Sequence, residues 1–183
     1  MSKMKLAWIS VLAVMIFATP FLTVRETENV SAEMWFDFSQ EGYPRDEREI
    51  VLPEYPDTVF HCDSMKLWAE KAGEETTLYG GMPIWSVYFC DLNGDGKREL
   101  CSQVSCGSGI IDEHIEVYDY AAGENHSLWE RGEYDYFLRF ESGELKALKS
   151  PYNLYYTDGQ VTAYGKLSLA KDESGQVQLV MEQ

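Results

Sequence analysis

The segment Asp91-Leu92-Asn93-Gly94-Asp95-Gly96-Lys97-Arg98-Glu99-Leu100 gathers oxygen donors at a spacing that suits a hard cation. With Asp91 as position 1, oxygen-bearing side chains fall at positions 1, 3, 5 and 9, namely Asp91, Asn93, Asp95 and Glu99. Lys97, at position 7, can add its backbone carbonyl. Ca²⁺ takes about six to eight oxygens at roughly 2.4 Å, and a curling loop turns alternate residues inward to supply them. Gly96 permits the tight turn that closes such a coil. Without a cation, these carboxylates would repel one another. An ion-free turn built on Asn-Gly and Asp-Gly is the alternative, but it has no need of an oxygen at every coordinating position.

The segment departs from an EF-hand in two ways. Position 12 is Ser102, where that motif has a bidentate Glu. The flanks, Ile84–Cys90 and Glu99–Ser105, are β-type runs rather than helices. The loop therefore joins two strands, and an ion in it would tie them together in a structural role.

Other chemistry is harder to find. His61 adjoins Cys62, but nothing local supports a thiol nucleophile with a paired base. Cys106-Gly107-Ser108-Gly109 is not a nucleophile elbow, because Cys106 stands where that motif has Gly. Asp112 with Glu113, or Glu133 with Asp135, could serve as acid and base on a glycan. In so acidic a chain such pairs arise by chance, and a solvated acidic face is the simpler reading. Cys62, Cys90, Cys101 and Cys106 allow two disulfides or buried free thiols. Cys90 and Cys101 flank the loop and could face each other, which would leave Cys62 with Cys106. Their spacing does not match a zinc site.

The elements around the loop read as short strands. Candidates are Thr58–Cys62, Lys66–Glu70, Thr76–Tyr79, Ile84–Cys90, Glu99–Ser105, His114–Tyr120, Ser127–Glu130, Tyr134–Phe140, Leu145–Lys149, Val161–Leu169 and Val177–Met181. Gly-, Asp-, Asn- and Ser-rich turns separate them, as at Lys71–Glu74, Ala122–Asn125, Glu141–Glu144, Asp158-Gly159 and Glu173–Gly175. Alternation supports half-buried strands: Trp85, Val87 and Phe89 share one face, and Ile115 and Val117 oppose His114 and Glu116. The expected fold is all-β, an antiparallel meander of short strands in a sandwich or partial propeller with one β–Ca loop–β unit. Residues 33–57 read as an extended lead-in with one short strand at Glu49–Leu52, and residues 58–183 as a single β-rich domain.

The N-terminus supplies an address. Lys3 and Lys5 precede the apolar run Leu6–Ala18, Pro20 breaks it, and Val30-Ser31-Ala32 offers small residues for cleavage. This is the pattern of a signal peptide over residues 1–32. An uncleaved anchor is the alternative, since Leu6–Val24 is just long enough to span a bilayer. Removing Lys3, Lys5, Arg25, Glu26 and Glu28 takes the formal net charge from −16 to −17. Such acidity excludes phosphate-backbone recognition, which needs surplus Lys and Arg. With 45% hydrophobic and 14% aromatic residues the chain is also too apolar for a disordered acidic tail.

The string D-x-N-x-D-G-x-x-E-L resembles the calcium loops of FG-GAP and VCBS repeats in integrin-like propellers. The resemblance implies metal contacts from Asp91, Asn93, Asp95, the Lys97 carbonyl and Glu99, with Glu99 standing where those repeats usually have Asp. A single loop excludes a full propeller. In order, Gly81–Trp85, the loop, Cys106–Asp112, Val117–Ala121 and Tyr134–Tyr136 resemble a secreted domain of gut-type Firmicutes. That domain also follows the membrane part of β-lactam-sensor-like transmembrane metallopeptidases. The likeness covers Pro53 to Leu169, and His-Glu-x-x-His is absent. The expectation is a secreted, monomeric, non-catalytic binding or interaction module holding one Ca²⁺. Its partner would be extracellular or in the cell envelope, and after cleavage it would have no membrane insertion. A small glycan-acting hydrolase and a sensory ectodomain relic are the alternatives.

Overall fold

The computed structural model describes residues 32–38, 46–109, 111–152 and 161–183. The signal segment before Ala32 and the Asp158-Gly159 turn lie outside them. Thirteen strands follow one another: β1 (Glu33–Asp37), β2 (Arg48–Ile50), β3 (Thr58–Cys62), β4 (Lys66–Lys71), β5 (Glu74–Gly80), β6 (Ile84–Cys90), β7 (Glu99–Cys106), β8 (Asp112–Asp119), β9 (Glu124–Leu128), β10 (Tyr134–Glu141), β11 (Glu144–Pro151), β12 (Ala163–Lys171) and β13 (Val177–Glu182). Among the described residues there is no helix, and none long and apolar enough to cross a membrane.

The strands form three antiparallel sheets, each a meander except that β1 joins the central one beside β6. The N-terminal sheet runs β2-β3-β4-β5, the central sheet β1-β6-β7-β8-β9 and the C-terminal sheet β10-β11-β12-β13. Two hydrophobic cores stack them face to face. Phe60, Leu67, Ala69 and Leu78 of the N-terminal sheet pack on Ile84, Val87, Phe89, Leu100 and Val104 of the central one. On the other side, Tyr88, Cys101, Ile115 and Val117 meet Leu138, Leu145, Ala147, Leu167 and Leu169 of the C-terminal sheet.

The central sheet is therefore covered on both faces, and the half-buried strands expected at β6 and β8 are buried along most of their length. His114 and Glu116 are buried opposite Ile115 and Val117. A bulge in the β6–β7 register between Ile84 and Ser86 also changes which residues share a face. Ile84, not Trp85, joins Val87 and Phe89 in the core. Trp85 instead sends its indole N–H to Ser105 Oγ at 2.6 Å.

Turn chemistry sets the hairpins. Lys71 pairs Glu74 across Ala72-Gly73, and Glu141 pairs Glu144 across Ser142-Gly143. Both central residues of each turn have positive φ, as a two-residue type I′ turn requires. The lead-in contributes more than expected. β2 pairs β3, and β1 pairs β6 as an edge strand, with Phe36 buried beneath it.

All four cysteines are free thiols. Cys90 pairs Glu99 and Cys101 pairs Tyr88, so the two cysteines sit diagonally rather than opposite each other. Burial pushes the Cys90 thiol up to about 11 and the Cys62 thiol up to about 12, which leaves both protonated and unreactive.

Gly165 marks the tightest backbone approach in the C-terminal sheet. A Cβ there would lie 2.1 Å from the carbonyl oxygen of Glu182, a backbone atom that cannot swing aside. Gly165→Ala is expected to cost about 2 kcal/mol through overpacking. Thermal denaturation should show a melting temperature lower by about 5 °C.

Candidate metal centre

The loop between β6 and β7 is shaped by its own side chains. Asp91 accepts from the Gly94 amide through Oδ1 at 2.7 Å and from the Gly96 amide through Oδ2 at 2.9 Å. Asn93 Oδ1 accepts from the Asp95 amide at 2.9 Å, and Asp95 Oδ1 from the Lys97 amide at 2.7 Å. These are Asx-type turns in series, each drawing the backbone around its own side chain. Gly96 has a φ of +85°, a conformation that a side chain would strain. Leu92 anchors the coil to the C-terminal sheet, since its carbonyl accepts from the Leu169 amide at 3.0 Å.

The coil brings Asp91, Asp95 and Glu99 together, with one carboxylate oxygen from each lying within 4.8 Å of the others. Glu99 opens β7 and is 1% exposed. Its Oε2 accepts from the Leu92 amide at 2.6 Å and its Oε1 from Asn93 Nδ2 at 3.0 Å. Asn93 turns its amide nitrogen toward the acids, while its oxygen is held by the Asp95 amide. Lys97 is exposed, and its backbone N–H serves Asp95.

Three further residues belong to this neighbourhood. Asp119, the last residue of β8, is buried and takes a hydrogen bond from Asn93 Nδ2 at 3.2 Å through Oδ2. Its other oxygen caps the following turn, accepting from the Ala122 amide at 2.9 Å. Tyr55 carries a buried hydroxyl with no hydrogen-bond partner. Burial, then the charges of Asp119 and Asp95, raise its ionisation well above the ordinary tyrosine range. Arg98 lies between Lys97 and Glu99 but does not answer the acids of the loop. Its guanidinium grips Glu54 at 2.6 and 2.9 Å and Glu33 at 2.5 Å.

Glu99 is consequently a buried carboxyl among carboxyls. Burial first, and then Asp119, Asp91 and Asp95, push it up to about 8, against the partial relief of the Leu92 N–H. An all-oxygen donor set of this charge fits a hard cation such as Ca²⁺ or Mg²⁺ and lacks the softer ligands that transition metals favour. A cavity of about 290 Å³ opens beside the loop, lined by Asp91 and Asn93 and by Lys166 and Glu182 from the C-terminal sheet.

The other candidate residues are not assembled. His61 and Cys62 are neighbours on β3, so their side chains leave opposite faces. His61 meets Glu47 at 3.0 Å and stacks on Trp68, while Cys62 joins the core. Asp112 and Glu113 diverge in the same way. Asp112 accepts from the Gly132 amide at 2.7 Å, and Glu113 accepts from Ser105 Oγ at 2.5 Å. Asp135 serves the Glu113 backbone amide at 3.0 Å, and Glu133 is exposed. Both glycosidase pairings read from the sequence are thus split between faces or turned to structural use. No protein-family model, curated protein or solved structure matches the chain.

The raised Glu99 carboxyl has a signed consequence for the ion-free protein. Its folded value of about 8 lies above the usual 4.5, so the folded state holds the proton more tightly than the unfolded chain. Stability in chelator should therefore fall as pH rises from 4.5 to 8, because ionising Glu99 in place is costly. Chemical denaturation across that window should show the decline, and Glu99→Gln should flatten it.

Proposed function

We propose that the chain is an exported, non-catalytic binding or interaction module whose central sheet is held by one structural calcium ion. The observation that carries this reading is the buried Glu99 carboxyl, set among Asp91, Asp95 and Asp119 and hydrogen-bonded by the Leu92 amide and the Asn93 side chain. Asp91, Asp95 and Glu99 would supply carboxylate oxygens, and the Lys97 carbonyl a backbone one. Asn93 would contribute its oxygen after turning its amide over. The ion would neutralise the cluster and fasten the end of β6 to the start of β7, a structural service that needs no reaction. The resemblance to FG-GAP and VCBS loops points the same way. Export rests on the signal pattern of residues 1–32, and the partner belongs to the extracellular space or the cell envelope.

Mg²⁺ is the natural competitor, but it demands near-octahedral geometry and gives up its waters reluctantly. A loop that offers both carboxylates and carbonyls suits the larger ion. Extracellular calcium modules bind at about 10⁻⁴ to 10⁻³ M, so 5 mM calcium should add about 1–2 kcal/mol to the folded state. Differential scanning calorimetry should give a melting temperature several degrees higher in calcium than in EDTA, with a smaller gain in magnesium. Asp95→Ala should abolish the calcium-dependent shift. Equal melting temperatures with and without calcium in the wild-type protein would refute the reading.

A further inference from the structure

Arg98 stands between the proposed ion contacts Lys97 and Glu99, yet its side chain serves other parts of the molecule. Its Nε and Nη2 form a two-pronged bond to Glu54 at 2.6 and 2.9 Å. Its Nη1 bonds Glu33 at 2.5 Å. The Arg98 side chain is 13% exposed and that of Glu54 16%, so this pair is largely withdrawn from solvent screening. The guanidinium also lies 5.7 Å from the centre of the Phe89 ring, on which Trp35 of β1 stacks at 5.7 Å.

Three distant pieces of chain therefore meet at one side chain. Glu33 is the first residue of β1, which among the described residues is hydrogen-bonded along one side only, to β6. Glu54 belongs to the strap between β2 and β3, whose next residue, Tyr55, brings its unpartnered hydroxyl to the acids of the loop. The direction of the Arg98 side chain depends on the backbone on either side of it. Drawing Asp95 and Glu99 together would fix that backbone, and repulsion between their carboxylates would loosen it.

Resting on the calcium reading above, we infer that ion binding and the docking of the N-terminal edge strand are coupled, with Arg98 as the coupling residue. Loading the loop sets the guanidinium on Glu33 and Glu54 and holds β1 and the strap down. Emptying it loosens both. Coupling of this kind is reciprocal, so a docked β1 also raises the affinity for the ion.

Amide hydrogen exchange followed by mass spectrometry tests this, with peptides covering β1, the strap, the loop and β13 compared in 5 mM calcium and in EGTA. Ion occupancy is read separately from terbium luminescence sensitised by the nearby tyrosines. In the wild-type protein, calcium should slow exchange in β1 and the strap by roughly fivefold or more, with β13 unchanged. Arg98→Gln should keep terbium binding and lose most of the slowing in β1. Glu33→Gln, which leaves the loop intact, should lose part of it, and it provides the test should Arg98→Gln fail to fold. Calcium that binds and protects the loop while β1 exchange stays the same would overturn the coupling and spare the ion site. So would Glu33→Gln with wild-type slowing of β1. Absence of terbium binding would overturn both the coupling and the calcium reading.

Discussion

The carboxyl of Glu99 governs this structure, because it is buried where the chain most needs order and lies among groups of its own charge. Glu99 pairs Cys90 at the mouth of the β6–β7 hairpin. β7 is the middle strand of the middle sheet, with core on both sides. An ionised group there has few ways to be tolerated: a proton, N–H donors or a cation. The Leu92 amide and the Asn93 side chain provide part of the answer, and the upward shift of the carboxyl measures what they leave undone. Loop shape, the position of Asp119 and the strap carrying Tyr55 all bear on the same imbalance.

Covering the central sheet on both faces has its own cost. Buried polar residues of β7 and β8 cannot turn to water, and most find a partner inside. Ser102 meets the Tyr79 hydroxyl, and Gln103 accepts from the Leu138 amide at 3.2 Å. His114 lies 3.2 Å from Glu116, whose other oxygen takes a bond from Asn125 at 2.7 Å. The Ser102 and Gln103 contacts join the central sheet to its two neighbours, while the His114–Glu116–Asn125 contacts stay within it. A buried polar pair that is satisfied stabilises a unique packing, and one left open would be costly.

Local features of this fold are legible in the sequence, and non-local ones are not. The β6 and β3 boundaries follow from turn residues on either side, and the two-residue hairpins at Ala72-Gly73 and Ser142-Gly143 follow from Gly chemistry. The acids Asp91, Asp95 and Glu99 were readable together because they lie within one coil of nine residues. Asp119 was hidden, since only the pairing of β7 with β8 carries it to the loop. Arg98 was hidden too: its partners are 44 and 65 residues away in the chain. Trp85 leaves the face that alternation predicts for it because a single bulge shifts the pattern. β1 was missed because a short edge strand shows little alternation, and its neighbours in sequence are polar and proline-rich.

The net charge of −16 takes on a different meaning in this light. Lys66, Lys71, Lys146, Lys149 and Lys166 each lie within ion-pair distance of an acid on or beside the strands. Such exposed pairs contribute little to stability individually, but they occupy the basic side chains. Arg98, the cation closest in sequence to the acids of the loop, is committed to Glu33 and Glu54. A proton or an ion from solution can then supply the compensating charge for Glu99 and its neighbours. On the proposed reading it comes from solution, and the protein reaches its full stability only where calcium is plentiful. That condition separates the compartment in which the chain is made from the one to which its N-terminal segment would send it.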